Sequence, residues 1–468
     1  MSSRRKGRGI SLGTIVMLVV TMAVCAGLAY LLPGLQGNQP VQVDTGKVLE
    51  ALNLSGLPQL SLNDIPIQLN PADAPLRTES AEAATAQLET ANTAAAPVQP
   101  TIQATAAPTL VATQTPTAAP TQVPDDQTFT MAFTGSVMLE TSIRQGAWIS
   151  EAGKYDFSEM LMYMKPELAS ADLCVVPLEN IIDDDADFTD NVTTSQVVPM
   201  LADAGVDAVA LAYPKLANSG QAGVQTTVDA VQRNGLSVLG AYASEADAAQ
   251  IKLMNLSGAQ VAVLHYTDSL SSTGQKKLRN EDASYAVRIG SEEQIARDIA
   301  AARQAGADFV VVSINWGEEN DAVPNSAEKK LAQAIADSGA DVIVGTGTRA
   351  AQPVVWLDAK RDDGTTAQTL CAYSLGAFLN EGRTDKNVAS FVMQLTVSVS
   401  YDGSAKIVGL DCVPTYTWRY KEDGVYKYYV VPSAEVAPDN MSEAQITSKE
   451  RALKNIRNLL ADSPLTVP

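Results

Sequence analysis

The sequence predicts an α/β fold for the part of the chain that begins near Thr128. Short apolar runs typical of buried strands alternate there with amphipathic segments typical of helices. The helical segments carry start and stop signals, such as the capping-box pattern from Ser291 to Gln294 and the glycine at Gly306. Small polar loops follow several apolar runs, as they do at the carboxyl ends of strands in α/β sheets. We therefore expect one large α/β domain over residues 127–432.

The predicted elements follow from these signals in chain order. The expected strands are Phe129–Phe133, Leu173–Val176, Asp207–Leu211, Ser237–Leu239, Gln260–His265, Phe309–Ser313 and Val342–Val344, with a further buried strand from Leu370. The expected helices are Gly223–Arg233, the segment from Ser291 to Gly306, the segment from its cap Ser326 to Gly339, and Ser442–Leu460 within a helical extension over 433–468. After Phe378 the pattern becomes rich in strands with a turn at Tyr401–Ser404, as expected for a second sheet.

A membrane anchor is predicted near the start of the chain. Ile10–Leu32 is 23 residues without a charge, long enough to cross a hydrocarbon core of about 30 Å. The basic head 1–9 places the N-terminus in the cytoplasm, so the folded domain is expected to be extracellular on a single-pass transmembrane signal-anchor over 10–33. The run is too long for a cleaved signal peptide. A lipoprotein signal at Cys25 would need a small residue where Val24 stands.

The segment between this anchor and the α/β domain has no pattern of a packed core. Residues 34–77 hold scattered leucines and prolines and form a juxtamembrane segment. Residues 78–126 are dominated by Ala, Thr, Pro and Gln, and Thr-Ala-Ala-Pro-Thr occurs at 105–109 and 117–121. Such a composition cannot bury enough apolar area to offset its conformational entropy. We expect a disordered stalk that acts as a spacer.

Charge and the rare residue types limit the possible functions. The net charge of −20 argues against nucleic acid as a partner. His265 is the only histidine, which excludes any site that needs two imidazoles, and we expect it to be a structural residue rather than a catalytic base. Cys174, Cys371 and Cys412 are expected to be buried free thiols, with a Cys371–Cys412 disulfide as the alternative.

Two further features favour a structural interpretation over a functional one. The acidic run from Asp183 to Asp187 could offer oxygen ligands to calcium, but it lacks the spacing and glycine of an EF-hand loop, so a solvated loop is expected. Trp316 follows a buried strand and is expected to pack in the core rather than stack on a substrate.

Residues 339–378 carry a motif order that resembles a known family. The segments that carry it are Gly345, Thr346–Arg349, Gln352–Pro353 and Tyr373–Phe378. The order is similar to that of the CapA family, a branch of the calcineurin-like metallophosphatases linked to capsule and poly-gamma-glutamate synthesis. In that family the strand ends in Gly-His-His-Pro-His, followed by Gln-Pro and Tyr-Ser-Leu-Gly-Asn-Phe. The resemblance covers about residues 129–432 and implies a metallophosphatase-like four-layer α/β/β/α sandwich.

The same resemblance locates the former metal cleft. Family members hold two cations about 3.5–4 Å apart with carboxylates, imidazoles and an amide. The corresponding positions here, with their near neighbours, are Ser136, Glu179, Lys215, Asn218, Asn315, Glu319, Thr346, Arg349 and Ala377. Glu179 is the one strong ligand left, while Lys215 and Arg349 place fixed positive charge where cations would sit. We therefore expect no catalytic residue, no metal ligand and no cofactor.

These expectations combine into a membrane-anchored, catalytically inactive CapA-like protein. It would act as a binding or scaffolding module in the assembly of capsule or a similar polymer, with an anionic cell-surface polymer or polymer-synthesis membrane proteins as partners. The alternative is a metal-independent hydrolase of a phosphoester or a polyglutamate-type substrate, using Glu179 with Lys215 or Arg349. We expect these three side chains to lie within a few ångströms with a local charge near +1, as either a buried ion pair or an anion site.

Overall fold

The computed structural model describes residues 126–361, 364–401 and 404–468. The predicted basic head, transmembrane helix and juxtamembrane segment, and the stalk up to residue 125, lie outside these described residues. Within the described ranges, no helix combines the length and apolar character needed to span a bilayer.

The α/β class is confirmed by the order of the elements. The strands are β1 (Gln127–Phe133), β2 (Ser136–Val137), β3 (Trp148–Ile149), β4 (Lys154–Tyr155), β5 (Leu173–Pro177), β6 (Ile181–Ile182), β7 (Val192–Thr193), β8 (Ala208–Ala210), β9 (Ser237–Leu239), β10 (Leu253–Leu256), β11 (Ala259–Thr267), β12 (Phe309–Asn315), β13 (Val342–Thr346), β14 (Val354–Lys360), β15 (Thr366–Ala372), β16 (Ala377–Leu379), β17 (Ala389–Val399), β18 (Ala405–Glu422) and β19 (Val425–Pro432). The helices are α1 (Thr141–Ala147), α2 (Lys165–Ala169), α3 (Val198–Asp203), α4 (Gly220–Arg233), α5 (Glu245–Ala248), α6 (Ser272–Asn280), α7 (Glu292–Gln304), α8 (Ser326–Asp337) and α9 (Glu443–Leu459), with 3-10 turns at Ser195–Val197 and Leu216–Ser219.

Two large sheets form the centre of the domain. The seven-stranded sheet has the order β19-β18-β17-β1-β5-β8-β9, and the six-stranded sheet has the order β10-β11-β12-β13-β15-β14. Strands β1, β5, β8 and β9 run parallel to one another, as do β11, β12, β13 and β15. The carboxyl ends of these parallel strands are where α/β sheets place their chemistry.

The sheets pack face to face between two helical layers. Phe129 of β1 meets Phe309 of β12 edge-on, with ring centroids 6.2 Å apart, within an apolar core that joins the two sheets. A second core lies between the seven-stranded sheet and helices such as α4, which contributes Val224 and Val228. A third core lies between the six-stranded sheet and helices α7 and α8, which contribute residues such as Ile299. The expected four-layer α/β/β/α arrangement is therefore present.

The chain after Phe378 differs from the expectation of a separate second sheet. Strand β17 pairs antiparallel with β1, with Gln127 opposite Val399, so β17, β18 and β19 extend the first sheet. The second sheet is built instead from β10 to β15. The strand pattern was correct, but local periodicity does not state which distant strand a segment will pair with.

The helix caps correct two details of the prediction. Asn325 rather than Ser326 is the cap of α8, because its side chain accepts hydrogen bonds from the amides of Ala327 and Glu328 in a complete capping box. The box predicted at Ser291 is half formed: Ser291 accepts from the Gln294 amide, but the Gln294 side chain donates to Asp298 of the next turn. The predicted C-terminal helix is confirmed as α9, and Ala452 and Ile456 bury it in the core between the sheets.

The cysteines and the histidine have the structural roles expected of them. Cys174, Cys371 and Cys412 are buried free thiols, and Cys371 and Cys412 belong to different cores, so the alternative disulfide is excluded. His265 is buried in β11, with Nδ1 2.9 Å from Oγ of Ser313 and Nε2 3.1 Å from the carbonyl oxygen of Ala212. A carbonyl only accepts, so Nε2 carries the proton and Ser313 donates to Nδ1. The Nδ1 bond lies within the six-stranded sheet, and the Nε2 bond reaches Ala212, which follows β8 of the seven-stranded sheet.

Candidate functional site

The candidate site lies where strand ends from both sheets meet. Oε1 of Glu179, two residues beyond β5, accepts hydrogen bonds from Oγ of Ser136 at 2.6 Å and from Nδ2 of Asn315 at 2.9 Å. Ser136 belongs to β2, and Asn315 is the last residue of β12. Glu179 follows a strand of the seven-stranded sheet and Asn315 ends a strand of the six-stranded sheet, so residues 136 positions apart in the chain meet where the carboxyl ends of the two sheets lie together. Three of the predicted cleft residues are thus brought together.

The environment of Glu179 favours its protonated form. Burial raises the pKa of Glu179, although the hydrogen bond from Ser136, the positive charge of Arg349 and the hydrogen bond from Asn315 act in the opposite direction. The carboxylate of Glu319 adds to the upward shift. Desolvation thus outweighs the groups that stabilise the charged carboxylate.

Arg349 lies in the loop after β13 and forms two ion pairs. Nη1 is 2.8 Å from Oε1 of Glu140, and Nε is 3.4 Å from Oε1 of Glu319. The Glu140 side chain is 10% exposed and the Glu319 side chain is 56% exposed, so the first pair is the buried one. Burial alone would lower the pKa of Arg349, but Glu140 and Glu319 outweigh it and raise that pKa. The backbone of Arg349 is left-handed, with φ of 58°.

Glu140 is the site residue that the sequence analysis missed. It directly follows the buried segment Val137–Leu139 and precedes α1. Its second carboxylate oxygen, Oε2, accepts a hydrogen bond from the amide of Glu381 at 2.7 Å, so both oxygens are used. The sequence did offer a signal, because Glu140 is a charged residue at the end of a buried run. An arginine shielded from solvent, such as Arg349, needs a carboxylate partner of this kind.

Lys215 does not join this cluster, and the expected local charge was wrong. Its side chain is exposed and forms no ion pair with any residue in the described ranges. The preceding Tyr213 is buried instead, and its hydroxyl donates to Oδ1 of Asn191 at 3.0 Å. Around Arg349 the two carboxylates of Glu140 and Glu319 outnumber one guanidinium, so the local charge is negative rather than near +1.

The remaining predicted positions take structural roles. Asn218 accepts a hydrogen bond from Oγ of Ser271 at 2.5 Å. Ala377 is buried in β16, opposite Ser136 of β2. Thr346 is buried at the end of β13, and its hydroxyl has no hydrogen-bond partner among the described residues. Trp316 is buried and donates from Nε1 to the carbonyl of Tyr373 at 2.8 Å, which confirms the packing role.

The residues at these positions do not fit the dimetal centre that the resemblance implies for relatives. Glu179 offers one carboxylate already bound by two donors, and Arg349 brings a fixed positive charge. Threonine at 346 does not replace an imidazole, and alanine at 377 does not replace the oxygen of an asparagine amide. Across residues 126–361, 364–401 and 404–468, no three His, Cys, Asp or Glu side chains are grouped so that they could hold a metal ion.

The acidic run from Asp183 to Asp187 also has a structural explanation. Oδ1 of Asp184 accepts hydrogen bonds from Oγ1 of Thr194 at 2.7 Å and from the amide of Ser195 at 2.9 Å. Oδ2 of Asp184 accepts from Oγ of Ser195 at 2.5 Å. These bonds fix the connection between β6 and the Ser195 turn, in agreement with the loop interpretation.

The chain is similar to bacterial proteins of capsule synthesis. A family model described as "Bacterial capsule synthesis protein PGA_cap" matches residues 130–382. The capsule biosynthesis protein CapA of Bacillus anthracis is 25% identical over 232 residues, which are 47% of this chain and 54% of that protein. The PGA biosynthesis protein CapA of Bacillus subtilis (strain 168) is 23% identical over 313 residues, which are 65% of this chain and 77% of that protein. The match therefore spans about half of the first relative's length.

Solved structures give only distant similarity. The NAD nucleotidase of Haemophilus influenzae has a TM-score of 0.37 at 12% identity, covering 74% of this chain and 58% of that chain. The calcineurin-like phosphoesterase YfkN of Bacillus subtilis has a TM-score of 0.34 at 12% identity, covering 72% of this chain and 99% of that chain. Both TM-scores are low.

Proposed function

The chain belongs to the bacterial capsule synthesis protein family PGA_cap, and from this premise we propose that it serves cell-surface polymer synthesis as a non-catalytic binding or scaffolding module. The names of the two Bacillus relatives, a capsule biosynthesis protein and a PGA biosynthesis protein, support the polymer part of the proposal. The apolar run 10–33 supports a membrane-anchored protein with its α/β domain at the outer surface. At this location the protein would bind membrane proteins of polymer synthesis.

One observation carries the non-catalytic part: the buried ion pair of Arg349 with Glu140 at the position of the family's metal-binding loop. The guanidinium neutralises a carboxylate that would otherwise be buried alone, and a metal cation placed beside it would be repelled. Glu179 next to it is held by Ser136 and Asn315. Arg349 and Glu179 are thus both paired with other groups of the protein.

A metal-independent hydrolase is the second candidate, and the raised pKa of Glu179 favours it. A carboxyl whose pKa is raised by burial keeps its proton to a higher pH than a free one, which suits a general acid. However, the cations proposed to assist it are not placed to do so, because Arg349 is paired with Glu140 and Glu319 and Lys215 is exposed. Ser136, the hydroxyl in contact with Glu179, is buried away from solvent.

Complementation with Glu179→Gln separates the two candidates. The gene is deleted in the source bacterium, and the parent or the variant chain is returned at matched abundance, checked by immunoblot. Glutamine keeps an oxygen that can accept from Ser136 and Asn315 but cannot donate a carboxylic proton, so a scaffold is expected to restore the surface polymer to the parental amount. Glu319→Gln makes the same chemical change at an exposed side chain and serves as the matched control. Loss of polymer with Glu179→Gln alone, at normal abundance, contradicts the scaffold and supports the hydrolase.

A further inference from the structure

One face of the β18–β19 hairpin carries a row of alternating cations and tyrosines. Arg419 of β18 lies opposite Tyr428 of β19, and Lys421 lies opposite Tyr426. These side chains share one face because strand residues two apart point the same way. Arg383, from the loop between β16 and β17, adds a third cation beside Tyr428. We call these five residues the basic strip.

The tyrosine rings hold the cations in this row. Cζ of Arg419 is 4.2 Å from the ring centroid of Tyr426, and Nζ of Lys421 is 5.9 Å from the same centroid. Cζ of Arg383 is 5.7 Å from the ring centroid of Tyr428. Each distance is within the range of a cation–π contact. The cations are therefore placed by neutral aromatic faces rather than by opposite charges.

None of the three cations forms an ion pair with a residue that the structure describes. Arg383 donates to the backbone carbonyls of Asn380, Glu381 and Thr417. Burial, together with the neighbouring charge of Arg419, lowers the pKa of Arg383. In a chain with a net charge of −20, such a row of unpaired cations offers a local site of attraction for anions.

We propose that Arg419, Lys421 and the exposed Tyr426 of the basic strip bind an extended polymer with carboxylates at regular intervals, while Tyr428 is buried beneath them. Arg419 and Lys421 are two residues apart on one strand, which separates their attachment points by about 7 Å along a line. The planar fork of arginine matches a carboxylate with two parallel hydrogen bonds. The exposed ring of Tyr426 supplies an apolar surface for the carbon chain between the carboxylates. This inference rests on the proposed role in polymer synthesis and identifies the surface that contacts the polymer.

The test uses the full-length chain in a mild detergent and fluorescein-labelled poly-glutamate, with binding followed by anisotropy at low and at physiological ionic strength. Arg419→Gln/Lys421→Gln is expected to bind about tenfold more weakly than the parent, a difference of about 1.4 kcal/mol. The matched control is Lys329→Gln/Lys360→Gln, which removes two exposed cations from α8 and β14 and is expected to bind as the parent does. If the double variant does not fold, Lys421→Glu takes its place in the test. This variant alters a single exposed side chain and is also expected to weaken binding.

Three results would overturn the proposal. They are parental binding by the strip variants, equal weakening by the control variant, and binding of a polyphosphate of matched charge as tightly as poly-glutamate. Failure here is distinguishable from failure of the proposed function. If the basic strip binds no polymer while Glu179→Gln still restores the surface polymer, only the proposal of polymer binding by the strip is contradicted. Polymer binding that persists while Glu179→Gln loses the surface polymer contradicts the non-catalytic role alone.

Discussion

Replacement of Arg349 by methionine is expected to lower the free energy of unfolding by about 3–5 kcal/mol, the usual cost of removing one partner from a buried pair. The methionine would leave the Glu140 carboxylate, which is 10% exposed, without its cation. The left-handed backbone at position 349 disfavours arginine and methionine alike, so the difference in stability between parent and variant reflects the lost charge. Chemical denaturation of the full chain measures the difference.

Two controls locate the effect in the buried pair. Glu319→Gln removes the exposed partner and is expected to cost less than about 1 kcal/mol. Glu140→Gln added to Arg349→Met is expected to recover part of the loss, because it removes the unpaired buried charge. A variant Arg349→Met that is as stable as the parent, yet no longer stabilised by added anions, would show that Arg349 serves an anion site and that the ion-pair account is wrong.

Stability is also expected to fall as the pH drops from about 6.5 to 4, through His265. Burial lowers the pKa of His265 from 6.5 to about 4. Between these values the unfolded chain binds the imidazole proton and the folded chain does not, so protonation favours unfolding. The shift corresponds to about 3 kcal/mol, an order-of-magnitude figure. Above about 6.5 both states hold a neutral imidazole, and this contribution no longer changes with pH.

The variant His265→Gln isolates that contribution from other titrating groups. Half-buried carboxyls such as Glu179 and Asp341 have pKa values raised by desolvation, so their protonation stabilises the folded state as the pH falls. The measured quantity is the difference in unfolding free energy between parent and variant, determined at several pH values from 7 to 4. We expect this difference to move by about 3 kcal/mol in favour of the variant at low pH. Parallel pH profiles would contradict the assignment to His265.

The sequence predicted the local elements well because each has a local cause. The apolar runs at β11, β12 and β13 and the capping signal at Ser442 all gave elements within a few residues of their predicted bounds. The pairing of β17 with β1 was missed because it joins strands from opposite ends of the domain. Hydrophobic periodicity carries no information on such pairings.

The candidate site was predicted in part, and mainly through the family resemblance. That resemblance brought Ser136, Glu179 and Asn315 to one place, where the structure has them in contact. Glu140 was missed because its partner Arg349 is 209 positions away in the chain. Lys215 was assigned to the cleft by its motif position, but side-chain direction depends on packing, and Tyr213 takes the buried place.

Metal content together with phosphoester hydrolysis of the purified full-length chain tests the central claim most directly. The chain is incubated with manganese, iron or zinc, freed of unbound ions, and analysed for bound metal and for turnover of generic phosphomonoester and phosphodiester substrates. Because Arg349 and Glu140 pair with each other and no imidazole is available there, we predict metal well below one ion per chain and no turnover above a metal-only control. One or two ions per chain with turnover that disappears in Glu179→Gln would contradict the non-catalytic account.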